Sequence, residues 1–224
     1  MDESRATPDG RRSRWDGHRL ARREELVDAT LRAIRSQGAG VGMDEVAASA
    51  GTSKTVFYRH FTDRAGLYTA VAERVDGTIL RGLSRAAGEP TPTSGPDDAR
   101  AVVRAVIGAY LHLVEEDPEV YRFIVNAPMV PPGERPSGDV AAGMTDRIAG
   151  HVADLVGAGL GASGGDRAAR LWGVALVGMV RATADAWLAA GGASGVQSSD
   201  ELADHLTELV WDGLSAARSR APTS

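Results

Sequence analysis

Eight consecutive positions, Ser53 to His60, carry six side chains able to donate hydrogen bonds outward: Ser53, Lys54, Thr55, Tyr58, Arg59 and His60. Hydroxyls, an ammonium, a guanidinium and an imidazole in one short stretch suit phosphate oxygens and base edges better than a bond-breaking site. Catalysis has little else to draw on. His18, His60, His112, His151 and His205 are scattered, with no pair at metal-binding spacing. Glu115, Glu116, Asp117 and Glu119 cluster, as the exposed end of a helix would. With no cysteine there is no thiol nucleophile, disulfide or zinc finger, and no Gly-rich phosphate loop follows a strand. No catalytic residue, metal or cofactor is expected.

The elements that must hold those donors can be read on either side of them. Met43 to Ala50 has Met43, Val46, Ala47 and Ala50 on one helical face; Gly51-Thr52-Ser53 interrupts it; Ser53 can cap a second short helix over Lys54 to Phe61. Two short helices joined by a Gly-containing turn, after a longer supporting helix, make a helix-turn-helix whose second helix enters the DNA major groove. Val46, Ala47 and Ala50 are small or apolar where such helices cross, Gly51 suits the turn, and Val56 and Phe57 anchor the second helix from below. The supporting helix shows Leu26, Ala29, Thr30, Ala33 and Ile34 at three- and four-residue steps and ends at Gly38.

The string Val46-Ala47-Ala48-Ser49-Ala50-Gly51-Thr52-Ser53-Lys54-Thr55-Val56-Phe57-Tyr58-Arg59-His60-Phe61, followed by Asp63-Arg64 and Leu67-Tyr68, resembles the TetR family of bacterial regulators. The resemblance covers roughly residues 24–75. It implies a homodimeric, ligand-responsive transcription factor, usually a repressor, that binds a palindromic operator in double-stranded DNA. By position it makes Tyr58 and His60 phosphate contacts and Lys54 and Thr55 base readers. Arg64 stands where the family usually has a phosphate-holding lysine, keeping the charge but offering a fork.

The remaining chain reads as all-α, with about nine helices: a three-helix DNA-binding head followed by a larger helical bundle. The expected divisions are a disordered basic arm over 1–19, the helix-turn-helix domain over 20–62, and an effector-binding and dimerisation domain over 63–224. Prolines and glycines mark loops near 89–96, 128–138 and 191–199. No alternating, β-branched strand pattern occurs. The longest apolar run, Leu171 to Val180, falls short of the roughly 20 residues a membrane span needs. No membrane association and a cytoplasmic location are therefore expected.

In the bundle, Tyr110, Val114, Tyr121, Phe123, Asn126, Met144, Trp172, Leu176 and Met179 are the candidates to line a pocket for a small hydrophobic effector. Taken singly, aromatic and Met residues at helical spacing are more often plain core. Arg181 and Asp185, four apart, could supply polar groups or simply pair. Small and apolar stripes on the last two long helices, Leu171, Ala175, Gly178 and Ala182 with Leu206, Leu209, Val210 and Gly213, are the candidate dimer interface. The strings Leu176-Val177-Gly178-Met179, Trp187-Leu188 and Trp211-Asp212-Gly213-Leu214 are similar to lipid-metabolism regulators of the family, which implies an acyl-chain or acyl-CoA effector. A drug- or antibiotic-responsive repressor of efflux, or an activator, is the competing reading.

The charge is unevenly spread. The 224 residues hold 25 Lys plus Arg and 30 Asp plus Glu, for a net charge of −5. Residues 1–64 hold 12 basic and 10 acidic groups, while 65–224 hold 13 and 20. Within 5–23, seven arginines face only Asp9 and Asp16. An acidic sum thus conceals a basic start, suited to local phosphate neutralisation. Lys54 is the only lysine in the chain.

Overall fold

The computed structural model describes residues 10–88, 96–126, 140–160, 167–195 and 197–218; among them are nine α-helices, one 3-10 turn and no strand. The head comprises α1 (Gly10–Gln37), α2 (Met43–Ser49) and α3 (Lys54–Phe61). The body comprises α4 (Arg64–Ala87), α5 (Pro96–Glu116), α6 (Pro118–Asn126), α7 (Val140–Leu160), α8 (Arg167–Ala189) and α9 (Ser199–Arg218). The loops expected near 89–96 and 128–138 fall almost wholly outside the described residues.

The arm is shorter than expected. Helix α1 begins at Gly10, so residues 10–19 are helical rather than disordered, and only 1–9 lie outside the described residues. After Pro8 no further proline intervenes, and arginine is a good helix former, so the helix can extend outward from its packed half despite Gly17.

That packed half follows the helical spacing. Leu26, Val27, Ala29, Thr30, Ala33 and Ile34 are all buried, and the Thr30 hydroxyl donates to the Leu26 carbonyl at 2.8 Å. Gly38, at φ 93°, ends the helix with its N–H on the Ile34 carbonyl. Helix α4 then joins the two parts. Its first turns bury Leu67, Tyr68 and Val71 against the head, and its later turns bury Ile79 and Leu83 in the body.

In the body, α5 packs against α4, α7, α8 and α9, so it forms the centre of the bundle. Helices α7 and α8 lie unusually close. A Cβ at Gly173 would fall 2.3 Å from the Ala149 carbonyl oxygen, so the crossing requires glycine there. Asp76 is buried on α4, and its Oδ2 accepts from Arg147 Nε at 2.6 Å, tying α4 to α7. By length and composition α8 is apolar enough over Arg170–Ala189 to cross a membrane, which the ten-residue apolar run does not suggest. In the fold it is a bundle helix packed on α7 and α5, with its outer face exposed.

Candidate DNA-binding face and internal cavity

Backbone geometry sets the recognition helix. Gly51 takes φ 61°, a conformation costly for other residues, and turns the chain between α2 and α3. Ser53 occupies the N-cap of α3 with extended backbone, though its hydroxyl makes no capping bond. Phe57 and Phe61 are buried and stack with ring centres 6.0 Å apart, while Val56 is half-buried against the core. Arg23 of α1 lies over the Phe61 ring at 5.0 Å. With α3 anchored on that side, Ser53, Lys54, Thr55, Tyr58 and Arg59 are exposed and His60 is half-buried at the edge.

The junction below α3 is equally constrained. Thr62 carries a positive φ of 68°, and Asp63 caps α4 by accepting from the Gly66 N–H at 2.7 Å. A Cβ at Gly66 would sit 1.9 Å from the Phe61 carbonyl oxygen. Arg64, in the first turn of α4, is exposed.

Electrostatics tune two of these groups. Lys54 Nζ forms an ion pair with Asp44 Oδ1 of α2 at 2.8 Å. The His60 imidazole is held below its ordinary value, first by loss of solvent and then by Arg59, Arg19, Arg22 and Arg23. It is therefore neutral at pH 7, able to donate one hydrogen bond.

A cavity of about 320 Å³ lies where the head meets the body. Its wall combines Asp28, Leu31 and Arg35 of α1, Arg74, Val75, Thr78 and Ile79 of α4, and residues of α5, α6, α7 and α8. A smaller apolar void of about 40 Å³ adjoins it, sharing Tyr110, Ile148 and Val177 and reaching Leu83, Val103, Val106 and Leu176. The charged groups at the rim are paired. Arg35 Nε and Nη2 donate to Asp117 Oδ1 and Oδ2 at 2.7 and 2.8 Å, and Arg74 Nη2 donates to Asp28 Oδ1 at 2.8 Å. On the opposite wall the Tyr121 hydroxyl donates to Asp185 Oδ1 at 2.6 Å and is hydrogen-bonded to Tyr110. Burial, above all, raises both phenols, so both keep their protons.

Of the pocket candidates, Tyr110, Val114, Tyr121 and Met144 line the main cavity and Leu176 lines the adjoining void. Phe123 instead packs on Tyr68, ring centres 5.7 Å apart, at the head–body joint. Asn126 is exposed at the end of α6, and Trp172 and Met179 are half-buried against the core outside the cavity lining. Arg181 and Asp185 form no ion pair: Asp185 accepts a hydrogen bond from the Tyr121 hydroxyl, and Arg181 Nη1 donates to Thr145 Oγ1 at 3.3 Å. The unforeseen lining residues include those of α1 and α4. Asp28, Leu31 and Arg35 recur at three- and four-residue steps beside the buried stripe of α1, which is the signal that marks a second, half-covered face.

On the body's outer face, Leu171 and Leu209 are 63% and 65% exposed, and Ala175, Gly178 and Ala182 are exposed along α8. Leu206 and Val210 turn inward and are buried in the protomer's own core. Gly213 lies beyond the described side chains. Among the described residues no group of three or more His, Asp or Glu could hold a metal ion.

This architecture of helix-turn-helix head, linking helix and cavitied bundle is matched by known proteins. Residues 26–71 match the family of bacterial regulatory proteins of the TetR type, and 91–224 match the tetracycline-repressor-like C-terminal domain. A helix-turn-helix transcriptional regulator of Mycobacterium tuberculosis is 35% identical over 212 residues, covering 92% of this chain and 82% of the relative. The transcriptional activator FasR of Mycolicibacterium smegmatis is 30% identical over 204 residues, covering 89% and 87%. The solved structure of the regulator FadR from Bacillus subtilis in complex with stearoyl-CoA has a TM-score of 0.58 at 16% identity, covering 85% of this chain and 98% of that one. The chain belongs to the TetR family. It is a DNA-binding transcriptional regulator, not an enzyme.

Proposed function

We propose that the protein is a homodimeric, effector-responsive regulator, a repressor that leaves a palindromic operator when a hydrophobic acyl-type molecule fills the cavity. The observation that carries this reading is the cavity's place. Its wall includes α4, against which α3 packs, and α1, which packs on α2 and α4, so a ligand there touches the head directly. A ligand that prefers one head orientation shifts the population toward it, away from the separation of about 34–36 Å that two recognition helices need on one DNA face. The DNA contacts are Ser53, Lys54, Thr55, Tyr58, Arg59, His60 and Arg64. The exposed line on α8 with Leu209 meets its copy in a second chain. The apolar lining supports an acyl effector, as does a fold of the same class that binds stearoyl-CoA. The site of action is the cytoplasm, where the DNA lies.

The test is a gel shift with the DNA upstream of the protein's own gene, with and without dodecanoyl compounds and hydrophobic drugs. Retained binding in both Lys54→Ala and Tyr58→Ala would refute the DNA face. Release by the drugs alone would refute the acyl effector. The similarity to FasR, an activator, favours a second reading in which DNA-bound protein raises transcription. Target transcripts that fall on deletion of the gene select that reading, and transcripts that rise select repression.

A further inference from the structure

Helix α1 continues well beyond the part that packs. Its C-terminal end is held by the body, through Arg35 on Asp117 and, just past the helix, the Ala39 N–H on Glu119. Halfway along, Arg23 lies over the ring of Phe61, the last residue of α3. From Arg23 back to Gly10 the helix runs on for about 20 Å, at a rise of about 1.5 Å per residue. Residues 17–22 of this outward half are all exposed. Its charge is one-sided: residues 10–23 hold six arginines against one acid, Asp16. At about 3.6 residues per turn, positions seven or eleven apart fall on one side of a helix. Arg12 stands seven before Arg19 and eleven before Arg23, and Arg11 stands eleven before Arg22. These five occupy one sector of about 120°, the sector that sets Arg23 over Phe61, whereas Arg14 lies about 160° round from Arg12. Arg22 is already paired with Glu25 at 2.7 Å and Arg23 is seated on Phe61. The field of this half reaches α3: after loss of solvent and Arg59, the groups that hold the His60 imidazole down are Arg19, Arg22 and Arg23.

We propose that the outward half of α1 is a second DNA-binding element, in which Arg11, Arg12 and Arg19 neutralise backbone phosphates of the duplex beside the bases that α3 reads. This rests on reading α3 as the recognition helix. The body holds α1 at its opposite end, so the outward half passes the C-terminal end of α3 and leaves the body behind. A row of guanidiniums along an exposed helix matches the regular charge of a phosphodiester backbone, and each phosphate it neutralises releases counterions. Such contacts hold the protein on the duplex and carry no base preference. The element therefore adds affinity and steepens the salt dependence without altering which sequence is chosen.

The test is fluorescence anisotropy of the full-length chain on two labelled duplexes of equal length, the DNA upstream of its own gene and a shuffled copy, from about 50 to 200 mM salt. The proteins are the wild type, a triple variant Arg11→Gln, Arg12→Gln and Arg19→Gln, the same triple with lysine, and Arg14→Gln. Glutamine keeps the helix propensity of arginine, so the fold is retained. Each lost phosphate contact should flatten the slope of log affinity against log salt by about 0.9, or about 2–3 per chain for the glutamine triple. That variant should bind both duplexes about ten- to a hundred-fold more weakly, by the same factor. The lysine triple and Arg14→Gln should keep the wild-type slope. An unchanged slope in the glutamine triple, a loss confined to the upstream sequence, or an equal loss in Arg14→Gln would overturn the element while leaving α3 as the recognition helix. Intact binding in Lys54→Ala and Tyr58→Ala would instead overturn the reading of α3. Binding of the wild type to neither duplex would overturn both.

Discussion

Arg35 of α1 holds Asp117, at the corner between α5 and α6, with two parallel hydrogen bonds of 2.7 and 2.8 Å. The bond raises the Arg35 pKa, so the guanidinium keeps its charge. Two residues on, Glu119 accepts the Ala39 N–H at 2.8 Å, and Tyr68 of α4 donates to the Ile124 carbonyl at 2.6 Å. Helix α6 is thus fastened to the head at its start and to α4 near its end. Arg35 and Asp117 also line the cavity.

Asp117→Asn should therefore separate coupling from stability. The pair is part-exposed, 50% and 34%, and such pairs contribute about 0–1 kcal/mol. The melting temperature should barely move, while the effector-induced loss of operator affinity should shrink. Thermal unfolding and gel shifts with and without effector check both. A normal effector response in the variant would remove the Arg35–Asp117 pair from the transmission path.

Operator affinity should rise as the pH falls. In the free protein, desolvation and the nearby arginines hold His60 below its ordinary value of about 6.5. DNA phosphates offset the arginine field and raise His60 again, so binding takes up a proton between the free and bound values. Affinity strengthens as pH drops through that window and is flat above it. The folded state, by the same sign, loses stability as pH falls below about 6.5, because the unfolded chain binds the proton more tightly. Dissociation constants from pH 8 to 5.5 at fixed ionic strength should slope in the wild type and flatten in His60→Gln. Identical slopes would place His60 away from phosphate.

Gly66→Ala should destabilise the head. The new Cβ would stand 1.9 Å from the Phe61 carbonyl oxygen, a backbone atom that cannot step aside alone. Overpacking of this kind costs about 1–3 kcal/mol, and the relief available, moving α3 against α4, disturbs the recognition helix itself. Urea unfolding and operator binding should both suffer. An unchanged denaturation midpoint would show that the joint yields freely.

The bare apolar line on α8 and α9 sets a fourth expectation. Leu171→Asp with Leu209→Asp should convert a dimer to monomers in sedimentation, since burying a leucine contributes about 1.5–3 kcal/mol and these two are 63% and 65% exposed in one chain. Operator affinity should fall with dimerisation, because each half-site alone offers one recognition helix. A dimer that persists in the double variant would locate the interface elsewhere.

How much of this was legible beforehand differs by element. The head was, because its demands are local. Phe57 and Phe61 at i and i+4, small residues at the helix crossing, and a glycine at the turn each follow from neighbours a few positions away. The start of α1 was misjudged because polar, Arg-rich composition reads alike in a solvated helix and in coil. The cavity was half legible. Tyr110, Val114, Tyr121 and Met144 sit on apolar stripes, but a stripe does not say whether its far side meets core or space. Asp28, Arg35 and Arg74 were not legible as lining, because their role depends on α1 and α4 facing α5 and α6, an arrangement no single helix encodes. Leu206 and Val210 show the same limit: a stripe on α9 cannot tell its own chain from a partner's.

The Lys54–Asp44 pair has one more consequence. Lys54 holds the only side-chain amine in the chain, and the pair leaves it 43% exposed on the recognition helix. Reagents that acylate amines, whether fluorophores, biotin esters or surface-coupling chemistries, therefore have one side-chain target, and it lies on the face proposed for DNA. Coupling a sensor chip through Lys54 would mask that proposed surface, and a dye attached there would sit beside it.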